Sequence, residues 1–152
     1  MRDGRAPLVL GAAILAGAAA SVSLLAMAGS DPSGSASAAV GGVTCAGQPA
    51  TITGTDGRNV INGTAGRDVI AARGGNDDID AGGGNDLVCG GGGREEIDGD
   101  AGADRLRGGN GNDEIDGQRG NDVLNGGRGF DDLDGELGND TCINGENVDD
   151  CE

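Results

Sequence analysis

Residues 108–134 read GGNGNDEID, GQRGNDVLN and GGRGFDDLD, three nine-residue units laid end to end. In each, the fourth residue is Gly (Gly111, Gly120, Gly129) and the sixth is Asp (Asp113, Asp122, Asp131). The eighth is aliphatic (Ile115, Leu124, Leu133). Glycines ahead of the Asp permit positive φ and a tight turn. The three residues that close the unit form a short strand, its middle side chain inward and its two neighbours outward. Such a strand buries nothing alone. Stacked units build two parallel sheets whose eighth positions share a thin core.

The phase holds well beyond this stretch. From Gly54 to Glu152 the chain divides into eleven nonads without insertion or deletion. Position four is Gly in ten of them, from Gly57 to Gly138, and position six is Asp in nine, with Asn59 and Glu95 as exceptions. Position eight is Ile, Val or Leu from Ile61 to Leu133, then Cys142 and Cys151. Ile52 keeps the period one unit earlier. A fixed short period over so long a stretch signals a solenoid. One coil takes two nonads, so units two apart are neighbours in one sheet. The fold expected is all-β, a right-handed parallel β-roll over residues 54–152.

Composition alone would suggest otherwise. The chain has 152 residues, 34 of them Gly, one aromatic (Phe130) and no Lys, His, Trp or Tyr, with a net charge of -16. That profile is one of a disordered acidic chain, and the periodicity overrides it. The acidity argues against nucleic acid as a partner. The absence of His removes imidazole catalysis, imidazole metal sites and the HExxH metalloprotease motif. No GxSxG occurs, and the paired carboxylates recur too evenly to mark one active centre, so neither an enzyme nor a small-molecule substrate is expected.

The pattern resembles the RTX, or hemolysin-type, calcium-binding nonapeptide repeat, over residues 54–152. The resemblance implies a β-roll with calcium ions in the turns between successive coils. It implies ligands from the position-six carboxylates and from the carbonyls of the Gly turns. Sorted by alternate units, these carboxylates form two columns. One is Asp68, Asp86, Asp104, Asp122 and Asp140. The other is Asn59, Asp77, Glu95, Asp113, Asp131 and Asp149. Strands stacked about 4.8 Å apart bring like charges together. Two carboxylates at that spacing repel by about 3.5 kcal/mol at an effective dielectric of 20. A divalent ion between them reverses the sign, and oxygen ligands select calcium over zinc or copper. Ion binding then becomes folding energy. The first column is unbroken. The second is interrupted by Asn59 and Glu95, and its last unit has Asn147 where Gly stands elsewhere. About five good calcium sites and several weaker ones are expected.

The outward positions differ between sheets. One carries Asp78/Asp80, Glu96/Asp98, Glu114/Asp116, Asp132/Asp134 and Asp150/Glu152; the other carries Val69/Ala71, Leu87/Cys89, Arg105/Arg107, Val123/Asn125 and Thr141/Ile143. An exposed apolar patch often marks a contact surface. This one could meet a protein or cell-surface partner, pair with itself, or be covered by residues 29–53. A calcium-dependent adhesive or structural module using that face is the alternative function. Ice binding would need ranks of outward Thr or Asn, and only Asn62, Asn125 and Thr141 occur.

The ends read as an exported protein. Residues 1–5 hold Arg2 and Arg5, and residues 8–28 carry no charge. Ala26-Met27-Ala28 fits a cleavage site, with Ala36-Ser37-Ala38 as a second. Residues 1–28 thus read as a signal peptide, and the alternative is an uncleaved membrane anchor. Residues 29–44 read as a flexible linker and 45–53 as an N-terminal cap. Secretion favours two disulfides among Cys45, Cys89, Cys142 and Cys151, with three possible pairings. Cys142 and Cys151, at the eighth positions of consecutive units, are expected to pair across the final coil. Cys45–Cys89 follows by elimination and requires residues 45–50 to leave the repeat register and cross the apolar face.

Overall fold

The computed structural model describes residues 34–35, 37–38 and 42–152. The signal-peptide segment lies outside the described residues, as does most of the linker. Among the described residues every regular element is a strand. Two seven-stranded sheets run side by side and share alternate strands along the chain.

The first sheet stacks Asn59–Thr64, Asp78–Gly82, Glu96–Asp98, Glu114–Asp116, Asp132–Asp134 and Asn147–Asp149, with Gly34–Ser35 added beside Asn59. The second stacks Ile52–Thr53, Val69–Gly74, Leu87–Gly92, Arg105–Asn110, Val123–Arg128 and Thr141–Ile143. Ser37–Ala38 joins its end antiparallel to Ile52–Thr53. All other pairs within the two sheets are parallel, and Ile97 faces Ile115 while Leu106 faces Leu124, a shift of two nonads. This is a β-solenoid with two nonads per coil. Parts of the expected linker therefore pair onto the first strands.

The eighth positions form the core. Ile61, Ile70, Ile79, Val88, Ile97, Leu106, Ile115, Leu124 and Leu133 are each at most 1% exposed and pack as one cluster. Each buries about 1.5–3 kcal/mol of apolar side chain. Ala72 and Ala81, at position one of their units, join them, with Ile52 and Cys142 packed at the two ends.

The turns are glycine-dependent for two reasons. Position-four glycines from Gly75 to Gly129 adopt positive φ, +145° at Gly111. A β-carbon at Gly111 would also fall on the Gly93 carbonyl of the preceding coil. Position two is left-handed as well, and it holds Arg73, Asp100, Gln118 and Glu136 at φ between 56° and 82°. Non-glycine residues there cost about 1–3 kcal/mol each.

A hairpin of Thr44–Cys45 and Gln48–Pro49 covers the apolar face, turning through Ala46 and Gly47, both at positive φ. Cys45 is bridged to Cys89, with Cα atoms 5.7 Å apart. Cys45 and Ala50 bury Val69, Ala71 and Leu87 in a second cluster, with Val43 and Cys89 at its margin. The Arg67 guanidinium donates to Gln48 Oε1 at 2.6 Å. This half of the face is therefore occupied by the chain itself.

The C-terminal coil departs from the expected register. Leu133 faces Val148, and Asp134 faces Asp149. The last turn is three residues shorter than the others, made by Asn144 at φ +55° and Gly145. Val148, not Cys151, therefore takes the eighth position. Val148 stays 45% exposed there. Cys142 and Cys151 are bridged, with Cα atoms 5.8 Å apart. Cys151 lies beyond the last strand, so this bridge does not span the two core columns as expected.

Candidate metal centres

Position six is where the chain leaves the turn and enters the strand, and its side chain folds inward beneath the turn. Asn59, Asp68, Asp77, Asp86, Glu95, Asp104, Asp113, Asp122, Asp131 and Asp140 are all buried. They form the two expected columns, joined by backbone hydrogen bonds. In the first, the N–H of Asp68 donates to Asp86 Oδ1 at 2.6 Å, Asp86 to Asp104 at 2.7 Å, Asp104 to Asp122 at 2.8 Å and Asp122 to Asp140 at 2.7 Å. In the second, Asn59 donates to Asp77 at 2.7 Å, Glu95 to Asp113 at 3.0 Å and Asp113 to Asp131 at 3.0 Å. The Asp77–Glu95 rung is missing. Neither Glu95 carboxylate oxygen has a protein partner; the extra methylene carries the group past the N–H that a shorter Asp would meet.

One oxygen per Asp is spent on this ladder. The other, Oδ2, is buried without a hydrogen-bond partner in Asp77, Asp86, Asp104, Asp113, Asp122, Asp131 and Asp140. An isolated buried polar atom is costly. The same atom orphaned in turn after turn is a repeating feature with a repeating cause. Burial raises the proton affinity of Asp77, Asp86, Asp104, Asp113 and Asp122. The Asp104 carboxyl is pushed up to about 7 by burial, against the Asp86 N–H that lowers it, with the charges of Asp86 and Asp122 adding to the rise. Glu95 is pushed up to about 8 by burial and then by the neighbouring Asp113 charge. Asp77, Asp86, Asp113 and Asp122 shift upward too, burial being the largest cause in each.

The first column is not uniform. Asp68 Oδ2 accepts from the Thr64 N–H and hydroxyl, both at 2.8 Å, and Oδ1 accepts from the Thr51 hydroxyl at 3.2 Å. Asn59 is closed in the same way, accepting from the Thr55 N–H at 2.6 Å and donating to its hydroxyl at 2.9 Å. The first two turns thus satisfy their own polar atoms. Asp149 does not belong to its expected column. It is exposed and faces Asp134 across the outer edge of the sheet. Glu146, itself exposed, takes over the ladder contact, accepting the Asp131 N–H on Oε2 at 2.8 Å.

Position one shapes the space beside each carboxylate. A β-carbon on Gly117 would lie 3.0 Å from Asp122 Oδ2, and one on Gly99 would lie 3.2 Å from Asp104 Oδ2. Ala72 and Ala81 place real methyls in the turns of Asp77 and Asp86. The most open cradles are therefore those of Asp104, Asp122, Asp140, Asp113 and Asp131. Among the described residues no three acidic or thiol side chains converge on one point. An ion here would draw on carboxylates of successive coils and on turn carbonyls. Such an all-oxygen set suits a hard divalent cation. The residues present therefore fit calcium.

Two further ladders escaped the sequence reading. Asn at position five accepts the position-five N–H of the next coil: Asn76 from Arg94, Asn85 from Ala103, Asn112 from Phe130 and Asn121 from Asn139, at 3.0–3.1 Å. Its signal was the recurrence of Asn at that position. The Thr55 and Thr64 closures had a weaker signal, a hydroxyl four residues before position six.

A family model described as the RTX calcium-binding nonapeptide repeat (4 copies) matches residues 53–88, 90–124 and 118–150. That is more than half of the chain. The chain belongs to the RTX calcium-binding nonapeptide repeat family. Its parallel two-sheet solenoid is the RTX β-roll, and the buried carboxylate columns lie in the turns where calcium ions, the family's partners, are expected. No curated protein and no solved structure matches the chain.

Proposed function

We propose that this RTX protein is a secreted, non-enzymatic calcium-binding β-roll whose folding is driven by calcium. The observation that carries the reading is the run of buried, partnerless Oδ2 atoms at position six. Four gaps have an unpartnered Asp on both sides: Asp86/Asp104, Asp104/Asp122, Asp122/Asp140 and Asp113/Asp131. These are the strong sites. The gaps flanking Glu95 and the Asp68/Asp86 gap are weaker, because Glu95 is too long for the ladder and Asp68 is already hydrogen-bonded. Calcium supplies the positive charge that lets these carboxylates be buried together. The protein's part is to hold the carboxylates at one coil spacing and to exclude bulk water from them.

Secretion is supported by the two disulfides, which persist in oxidising compartments. It is supported also by the charge-free residues 8–28 behind Arg2 and Arg5. Native mass spectrometry of the purified chain tests the binding claim. At least four calcium ions per chain are expected. A chain that stays ion-free at millimolar calcium would refute it.

A further inference from the structure

Resting on the calcium reading, we infer that the C-terminal end carries one more cation site, outside the nonapeptide pattern, built on Asp131 and Glu146. Elsewhere the hydrogen-bonded carboxylate stands eighteen residues beyond its donor; here Glu146 stands fifteen beyond Asp131. The Glu146 and Asn147 N–H groups both donate back to the Asp131 carbonyl, at 3.0 and 3.1 Å. The shortened turn is therefore anchored to the coil before it, and the longer Glu side chain spans the space that three missing residues leave.

An independent observation points to a ligand. Asp131 is 2% exposed and its Oδ2 has no partner. Asp131 and Glu146 line a cavity of about 460 Å³ shared with Asp113, Glu114, Asp132 and Phe130. Arg94 is the one cation on its wall, and Arg94 pairs with Glu114 at 3.6 Å. The excess of carboxylate oxygen selects a hard divalent cation. The truncated turn offers fewer carbonyls than an interior turn, so water completes the shell and the ion is held more weakly than in the interior. Asp149 takes no part.

Phe130 provides a local reporter, being 76% exposed on the cavity wall. In a full-length Phe130→Trp chain, Trp excitation sensitises terbium, an oxygen-seeking calcium surrogate, bound nearby. Emission should rise in two phases, a tight one from the interior gap and a weaker one from the terminal site. Adding Glu146→Gln keeps an acceptor for the Asp131 N–H but removes the charge. It should abolish the weaker phase and lower the calcium count by one per chain, with the sheet intact at saturating calcium. Asp149→Asn should change neither. The site is overturned if Glu146→Gln keeps both phases and the full count, if Asp149→Asn removes a phase, or if Glu146→Gln destroys the sheet itself. A parent chain that binds no calcium at all overturns the broader reading and this one with it.

Discussion

Asp104 shows what a single position-six residue does. Its Oδ1 accepts the Asp86 N–H, its Oδ2 has no protein partner, and it borders two gaps of the first column. Asp77 borders Asn59 and Glu95 and sits behind the Ala72 methyl. Asp104→Ala should therefore raise the calcium midpoint about tenfold, equivalent to about 1.4 kcal/mol, and Asp77→Ala much less. Equal shifts in a calcium titration would show that the two columns do not differ. The proton competes for the same oxygens. Asp104 and Glu95 are raised to about 7 and about 8, so without calcium the folded form holds protons that the unfolded chain has lost. Stability is then greatest at low pH and falls as pH rises from about 4 through those raised values. In chelator, sheet signal should grow as pH is lowered from about 8 to about 4, and calcium at neutral pH should remove that dependence. Circular dichroism that is flat with pH in chelator would contradict the assignment.

At the scale of the element, the turn does more than the strand. The strands contribute one inward aliphatic side chain per nonad, whereas the turn sets the spacing, the φ signs and the carboxylate direction. Gly111→Ala adds a β-carbon at φ +145° against the Gly93 carbonyl. It should cost about 1–3 kcal/mol from the backbone alone, measured as a loss of melting temperature at fixed calcium. A substitution without effect there would mean that the turn is looser than described. The turn's regularity explains how much was legible in the sequence. Gly at four, Asp at six and an aliphatic residue at eight each have one physical job, so the solenoid, the two columns and the core could be read directly. The last coil could not. Counting nonads placed Cys151 and Asp149 inward, but the last turn is three residues short, and pairing of Val148 with Leu133 in the sheet sets the register instead. The Asp68 closure was hidden for a similar reason, since it depends on Thr51 and Thr64, which lie outside the three periodic positions.

On the scale of the whole molecule, the two ends are closed differently and the middle is where charge accumulates. The N-terminal end has Thr–carboxylate closures and a disulfide-held hairpin. The C-terminal end has a short turn and the Cys142–Cys151 bridge. Cys45→Ser should release the hairpin, costing about 2–4 kcal/mol and uncovering Val69, Ala71 and Leu87, which dye binding to apolar surface would detect. Unchanged dye binding and stability would show that the hairpin is not held by this bridge. Between the ends, the outer acidic sheet adds to the self-repulsion. Asp116 is pushed up to about 6, by burial first and then by the charges of Asp98 and Asp134. A net charge of -16 and a core of one aliphatic residue per nonad are what the proposed calcium-driven folding has to overcome. The most direct test is far-ultraviolet circular dichroism of the purified, disulfide-bonded chain at neutral pH, titrated with calcium from chelator upward. The account predicts little sheet in chelator and a cooperative gain, centred at about 10⁻⁴ to 10⁻³ M, the range of extracellular calcium modules. A full sheet spectrum in chelator, unchanged by calcium, would contradict it.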